Sequence, residues 1–359
     1  MRRSRIQTAV LVAMATGAAP ISAELRQADI DEVTHRMDML PEVYGQISLV
    51  YEHNHTNDGV TGGKSQFKDN ESFIGARNRH EIMPGLEGFF RAEWWFNANN
   101  EDETFEKLEY AYIGVEGDFG RVWGGTDDSV YEQQLDQVAN FFQSEFRGSD
   151  RNSPRNIKGP YDTGSLHGNR SRLLQYSSPQ FSGWQFHGAV QLNEDGDDDA
   201  IEQHGKSSRP FQLVSTYHSG NWEWALGMDS NEGGLGPDNE NTYGGRGTYE
   251  RDQWSLTAQY QRREDVGNVF GFLSTYEIGP NQFAFGYERG RGKENEINAV
   301  TEPGEAGFWL EDGERVHTYT VQVMHQLSEH MRLYVEGHQA ESDENAHRRD
   351  LMIGAAYSF

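Results

Sequence analysis

Few residues in this chain are spaced for reaction chemistry. Gly59-Val-Thr-Gly-Gly-Lys-Ser65 looks at first like a phosphate-cradling loop, but its first glycine stands one residue too near the lysine and no apolar helix follows. The acids between Asn193 and Asp199 are spaced somewhat like a calcium loop and lack its closing glutamate at the twelfth position. His53 and His55 sit beside a loop, the 13 histidines are scattered, and neither His-Glu-x-x-His nor Gly-x-Ser-x-Gly occurs. These residues supply no catalytic set, no metal site and no cofactor motif. What remains is charge. Arg77, Arg91 and Lys107, together with Glu93 and Glu109, alternate with the apolar Ile74, Ala76, Phe90, Ala92, Leu108 and Tyr110. In strands, that spacing turns all five charges to one face and the apolar side chains to the other. Such a wall holds an electric field rather than a reaction.

The elements that carry these charges are legible from the chain's last segment backwards. Leu351, Ile353, Ala355, Tyr357 and Phe359 fall on every second position, which is the period of a strand. A terminal strand with one aromatic, apolar face is hard to justify in water and is expected where that face meets lipid. At the other end, Arg2, Arg3 and Arg5 precede the apolar run 9–15, and Ser22 and Ala23 offer a small-residue cleavage site. That order reads as a secretory signal over residues 1–23. The run is too short to span a bilayer as a helix, and no later segment offers the roughly 20 apolar residues that a membrane helix needs.

Composition agrees. The 359 residues include 40 Gly and no Cys, with 12% aromatic, 35% hydrophobic and a formal net charge of −26. Without the signal, 28 basic residues stand against 57 acidic ones. A polar, Gly-rich chain is poor material for an ordinary core, yet this one is too aromatic to be disordered. A barrel with a watery interior resolves the conflict, because only alternate residues need be apolar. The negative charge argues against nucleic acid or anionic phospholipid as a partner.

Alternating segments recur from Val43 to Phe359, about sixteen in all, giving an all-β class: a sixteen-stranded antiparallel transmembrane β-barrel over residues 42–359. Short turns at Pro84, Asp118, Gly183, Gly220, Pro280 and Glu329 alternate with longer acidic loops, so the former are assigned to the periplasm and the latter to the outside. Residues 24–41 read as a periplasmic leader with helix-like spacing of Ile30, Val33, Met37 and Leu40.

Three blocks then carry a resemblance. They are Ser72-Phe-Ile-Gly-Ala-Arg77, the stretch from Pro84 to Gly125, and Leu174-Gln-Tyr-Ser-Ser-Pro-Gln-Phe-Ser-Gly-Trp184, followed at the end by Gly354-Ala-Ala-Tyr-Ser-Phe359. In succession they resemble the general diffusion porins of Gram-negative outer membranes. The resemblance implies a homotrimer of water-filled channels that pass small hydrophilic solutes and sit among outer-membrane lipids and lipopolysaccharide. It also implies a long loop after the fifth strand, residues 126–168, folded into the bore. Ser144-Glu-Phe-Arg-Gly148 is similar to that loop's acidic tip, which makes Glu145 the leading constriction residue, with Asp127, Asp128 and Asp136 beside it. A solvated outer loop is the alternative reading of those acids. The family's basic wall positions are depleted here, since Gln46, Phe73 and Glu109 occupy them. Arg77 and Lys107 therefore either line the narrow ring or pair with neighbouring acids. Arg170 and Arg172 are further candidates near the rim. By the same resemblance, Phe359, Tyr357 and Ile353 form the signal read by the barrel-insertion machinery. Val43, Ile47, Leu49, Leu351 and Ile353 form the trimer patch, and the excess of acids implies a preference for cations.

Overall fold

The computed structural model describes residues 40–56, 63–99, 107–138, 141–143, 172–192, 211–230, 241–264, 267–292, 315–342 and 347–359. Strands dominate. They are β1 (Glu42–Thr56), β2 (Lys64–Asp69), β3 (Phe73–Met83), β4 (Leu86–Trp95), β5 (Lys107–Gly117) and β6 (Gly120–Thr126). After the helix α1 (Val130–Leu135) come β7 (Leu173–Ser177), β8 (Trp184–Gln191), β9 (Phe211–Ser219), β10 (Trp222–Asp229), β11 (Thr242–Arg251) and β12 (Trp254–Arg263). The set ends with β13 (Gly267–Ile278), β14 (Asn281–Gly292), β15 (Arg315–Gln326), β16 (Met331–Ser342) and β17 (His347–Ser358).

All pairings are antiparallel, and β1 pairs with β17 from Gln46↔Ser358 to Thr56↔Arg348, so the sheet closes on itself. Closure is what a membrane demands, since an open edge would leave backbone groups without partners in hydrocarbon. β2 and β3 occupy successive stretches of the same neighbour, β1, and form one crossing of a sixteen-stranded barrel. The interruption has a local cause. Glu71 adopts a positive φ of 62°, and Ser72 Oγ accepts a hydrogen bond from Ser48 N at 2.9 Å. The hydroxyl thus keeps the β1 ladder satisfied across the break.

The alternation seen in the sequence is the alternation of the wall. On β12, Thr257, Gln259, Gln261 and Arg263 are buried while Leu256 and Tyr260 are exposed. A polar side chain buried opposite an exposed apolar one reverses a soluble protein and fits a barrel with lipid outside. Close to the short turns, the outer face of β8–β13 carries cross-strand aromatic pairs. Their ring centroids are 4.7 Å apart for Trp184 and Tyr217, 4.7 Å for Trp222 and Tyr249, and 4.6 Å for Trp254 and Tyr276. Amphipathic rings at that level suit the boundary between lipid and water.

One expectation is corrected. Simple alternation puts Tyr110 on the lipid face, but the β4–β5 register shifts between Glu93 and Trp94, so that Glu93 opposes Tyr110 while Trp94 opposes Leu108. The extra residue, Glu109, is a bulge, and Tyr110 turns inward with Arg91 over its ring at 3.9 Å. Counting by twos cannot see a bulge. The segment Lys64–Asp69, which carries no clear alternation in the sequence, is β2. The leader expected over residues 24–41 lies outside the described residues except for its last two.

Candidate pore wall and constriction

The segment after β6 lies against inward-facing side chains of the wall. Ser129 caps α1 by accepting a hydrogen bond from Glu132 N at 3.3 Å. The next free amides of the first turn are satisfied by wall glutamines: Val130 N donates to Gln175 Oε1 at 2.9 Å and Tyr131 N to Gln212 Oε1 at 3.0 Å. Beyond the helix, Gln137 N and Val138 N both donate to Gln259 Oε1, at 3.0 and 3.1 Å. Gln143 closes the described stretch, its N donating to Glu336 Oε2 at 3.0 Å and its O accepting from Asn70 Nδ2 at 2.7 Å. Asn70 sits at the break between β2 and β3, which explains how that break serves the interior.

Packing reinforces these bonds. Tyr131, Leu135, Val138 and Phe142 are almost fully buried. They rest where the wall has glycine: a Cβ at Gly227 would overlap Leu135, one at Gly244 would overlap Tyr131, and one at Gly286 would lie 2.6 Å from Phe142 Cζ. The high glycine content therefore has a specific use, a groove without side chains for the inner segment to lie in.

Charges concentrate on β3–β6. Arg77 reaches Glu42 with two bonds of 3.1 Å, and Arg91 reaches Glu93 Oε2 at 2.7 Å. Tyr44 joins them, accepting from Arg91 Nε at 2.8 Å and donating to Glu93 at 2.9 Å, with Arg77 over its ring at 4.8 Å. Tyr110 extends the chain by donating to Asp128 Oδ2 at 2.9 Å. Asp127 is buried and accepts from Trp123 Nε1 at 2.7 Å and from Gln133 at 3.4 Å. Burial pushes its carboxyl up to about 6, with the Trp123 hydrogen bond opposing the shift. Asp136, also buried, accepts from Gln259 Nε2 at 3.3 Å.

The structure thus brings Arg77, Arg91, Glu93 and Asp128 into one network, while Asp127 and Asp136 serve the anchoring of the inner segment. Glu109 is buried at the bulge. Lys107 opposes Trp95 in register. Arg172 has a positive φ of 59° at the start of β7. Glu145, its acidic tip and Arg170 lie outside the described residues. Sequence reasoning missed Arg246 and Arg332. Arg246 donates to Gln134 O at 2.7 Å and pairs with Glu223, and Arg332 donates to Gln46 Oε1 at 2.8 Å and Gln143 Oε1 at 3.3 Å. The signal was present, because each alternates with lipid-facing residues: Arg246 with Tyr243, Arg332 with Leu333 and Val335.

A sequence model of the family described as Gram-negative porin matches residues 8–345. The chain belongs to that family. This porin shares its fold with an anion-selective porin from Comamonas acidovorans at 15% identity and a TM-score of 0.67, over 89% of this chain and 99% of that one. Salmonella typhi OmpF, in complex with daunomycin, aligns at 15% identity and a TM-score of 0.64 over 89% and 97% of the two chains. A trimer form of OmpT, an outer membrane protein of Vibrio cholerae, aligns at 12% identity and a TM-score of 0.61 over 89% and 99%. No curated protein sequence matches the chain. Family and fold place this porin in the outer membrane as a channel.

Proposed function

We propose that this channel is water-filled, passes small hydrophilic solutes and ions by passive diffusion, and prefers cations. The observation that carries the preference is the pairing of the inner bases. Among the described residues, Arg77, Arg79, Arg91 and Arg246 each contact a glutamate, so much of the wall's positive charge is cancelled locally. Without residues 1–23, the 57 acidic residues against 28 basic ones leave a net charge of −29 that biases the pore toward cations. The Comamonas relative is described as anion-selective, so fold alone does not decide the sign. Reversal potential across a KCl gradient in planar bilayers does. Cation preference at about 0.1 M that fades near 1 M is the expected result, because the Debye length falls from about 10 Å to about 3 Å. Anion preference at low salt overturns the reading.

Residues 126–168 are read as the constriction loop, supported by the anchoring of its first part to the inner wall. Glu145→Gln should lower the cation-to-anion permeability ratio at about 0.1 M salt more than a matching change of Asp198. Equal effects would move Glu145 out of the narrow ring. A substrate-specific channel is the second reading, and a current that saturates with one solute would favour it. The chain is further proposed to work as a channel and not as an enzyme. Residues 1–23 are taken as a signal peptide, and a homotrimer is taken to assemble through Val43, Ile47, Leu49, Leu351 and Ile353, all of them exposed here except the half-buried Leu49. Lipids and lipopolysaccharide would surround the trimer, and Phe359, Tyr357 and Ile353 would be read by the insertion machinery.

A further inference from the structure

Among the described residues, four arginines stand near the short-turn end of the wall formed by β3–β6, and three of them are matched by carboxylates. Arg77 has Glu42, Arg91 has Glu93, and Arg79 has both Glu87 and Glu116 at 2.8 Å. Arg121 makes no hydrogen bond or ion pair with a carboxylate there, although its charge acts on the nearby Asp127. Its cross-strand partner in the β5–β6 register is Glu116, but the Glu116 carboxylate is turned to Arg79. Arg121 Nε is buried with no hydrogen-bond partner among the described residues. What holds the guanidinium in place is aromatic: its carbon lies 4.3 Å from the centroid of Phe89, 4.7 Å from that of Trp123 and 6.0 Å from that of Tyr112.

The arrangement is built rather than incidental. On β5, between Tyr112 and Glu116, stands Gly114, where a Cβ would overlap Phe89 and lie 2.6 Å from Trp123 Cβ. Glycine there lets both rings close around Arg121. Rings over a guanidinium attract its charge but accept none of its in-plane hydrogen bonds, so the group is positioned without a hydrogen-bonded carboxylate of its own. A planar carboxylate completes such a fork with two parallel bonds. Phosphate fits less well, because its second negative charge would sit beside Glu116 and Asp127.

We propose that Arg121 is a docking point for the carboxylate of small organic solutes crossing the lumen, a local stop for anions within a pore whose overall field favours cations. The inference rests on the reading of the barrel as a solute channel. The test uses the full-length protein in planar bilayers, with potassium acetate progressively replacing KCl at constant total salt. Conductance should depart from a straight line between the two salts and show a saturable acetate component. Arg121→Gln should weaken that component about tenfold, the loss expected of a charged hydrogen bond, while KCl conductance persists. Glu116→Gln, which keeps Arg121 and removes a nearby negative charge, should shift half-saturation to lower acetate and so decides the matter even where Arg121→Gln fails to assemble. A straight mixing line in the wild type overturns the inference, as does an unchanged curve in either variant. Inorganic phosphate at pH 8 binding as tightly as acetate overturns the carboxylate assignment. A barrel that passes no KCl current overturns the channel reading and the inference together.

Discussion

Asp127 shows how one buried carboxyl ties local structure to the field in the pore. Its acceptor role toward Trp123 holds the start of the inner segment, yet burial raises it to about 6. Because the folded value lies above the unfolded one, the ionised form is the costly one. The penalty is fully present above about pH 6 and is relieved as the pH falls through that value toward the unfolded value of 3.8. Each pH unit between the folded and unfolded values is worth about 1.4 kcal/mol, so the cost near neutrality reaches on the order of 3 kcal/mol. Asp127→Asn should therefore raise thermal stability at pH 7.5 and change it far less at pH 4.5, measured by the heat-induced mobility shift of the folded barrel. A variant less stable than wild type at both pH values would show that the hydrogen bond outweighs the charge. Between pH 7 and 5 the wild type should also lose part of the proposed cation preference, and the variant should not.

At the level of elements, α1 is a helix of six residues, too short to persist alone, and its position comes from wall side chains. Gln175 and Gln212 accept its first amides, so replacing both with Ala should release its start and raise single-channel conductance, at about 1 kcal/mol of stability for each bond. Filling the groove instead, with Gly286→Leu, should displace Phe142 and give the same conductance change by a different route. Unaltered conductance in both variants would mean that the segment does not set the pore's width. The strands themselves were legible because a barrel repeats one rule, apolar outward and polar inward, at every second residue. The rule failed where geometry departs from it. The bulge at Glu109 reversed Tyr110, and the break at Asn70 hid β2 among apparent loop residues. The short helix has no amphipathic pattern long enough to read, and its glutamine partners are distant in sequence, so no local signal joined them. Arg121 lies in a segment that reads as a strand from the sequence, but only the structure shows that Glu116 serves Arg79 and not its cross-strand neighbour Arg121.

At the scale of the molecule, the outer surface is unevenly furnished. Paired Trp and Tyr rings line the short-turn rim on β8–β13, whereas Val43, Ile82 and Met83 occupy the same level on β1 and β3 and are exposed. Lipid boundaries favour the former and protein contacts tolerate the latter, so Ile47→Arg should dissociate the proposed trimer into monomers on native electrophoresis while leaving strands intact. Deleting Phe359 should lower the amount of heat-modifiable barrel in the outer membrane. Wild-type levels would remove it from any assembly role. Its backbone already exchanges two 3.0 Å hydrogen bonds with Gly45, and its ring lies where a Cβ at Gly45 would stand. That seam joins the two ends of the barrel unit, so β1 waits for its partner until β17 is delivered. The pairs up to β15–β16 can form while the chain is still arriving, and of the two pairs that need β17 only this one spans the length of the barrel. The ring is thus closed by its latest event, the pairing with the largest loop to pay for in entropy. An interrupted or delayed chain then leaves not a smaller pore but a curved sheet with two adhesive rims.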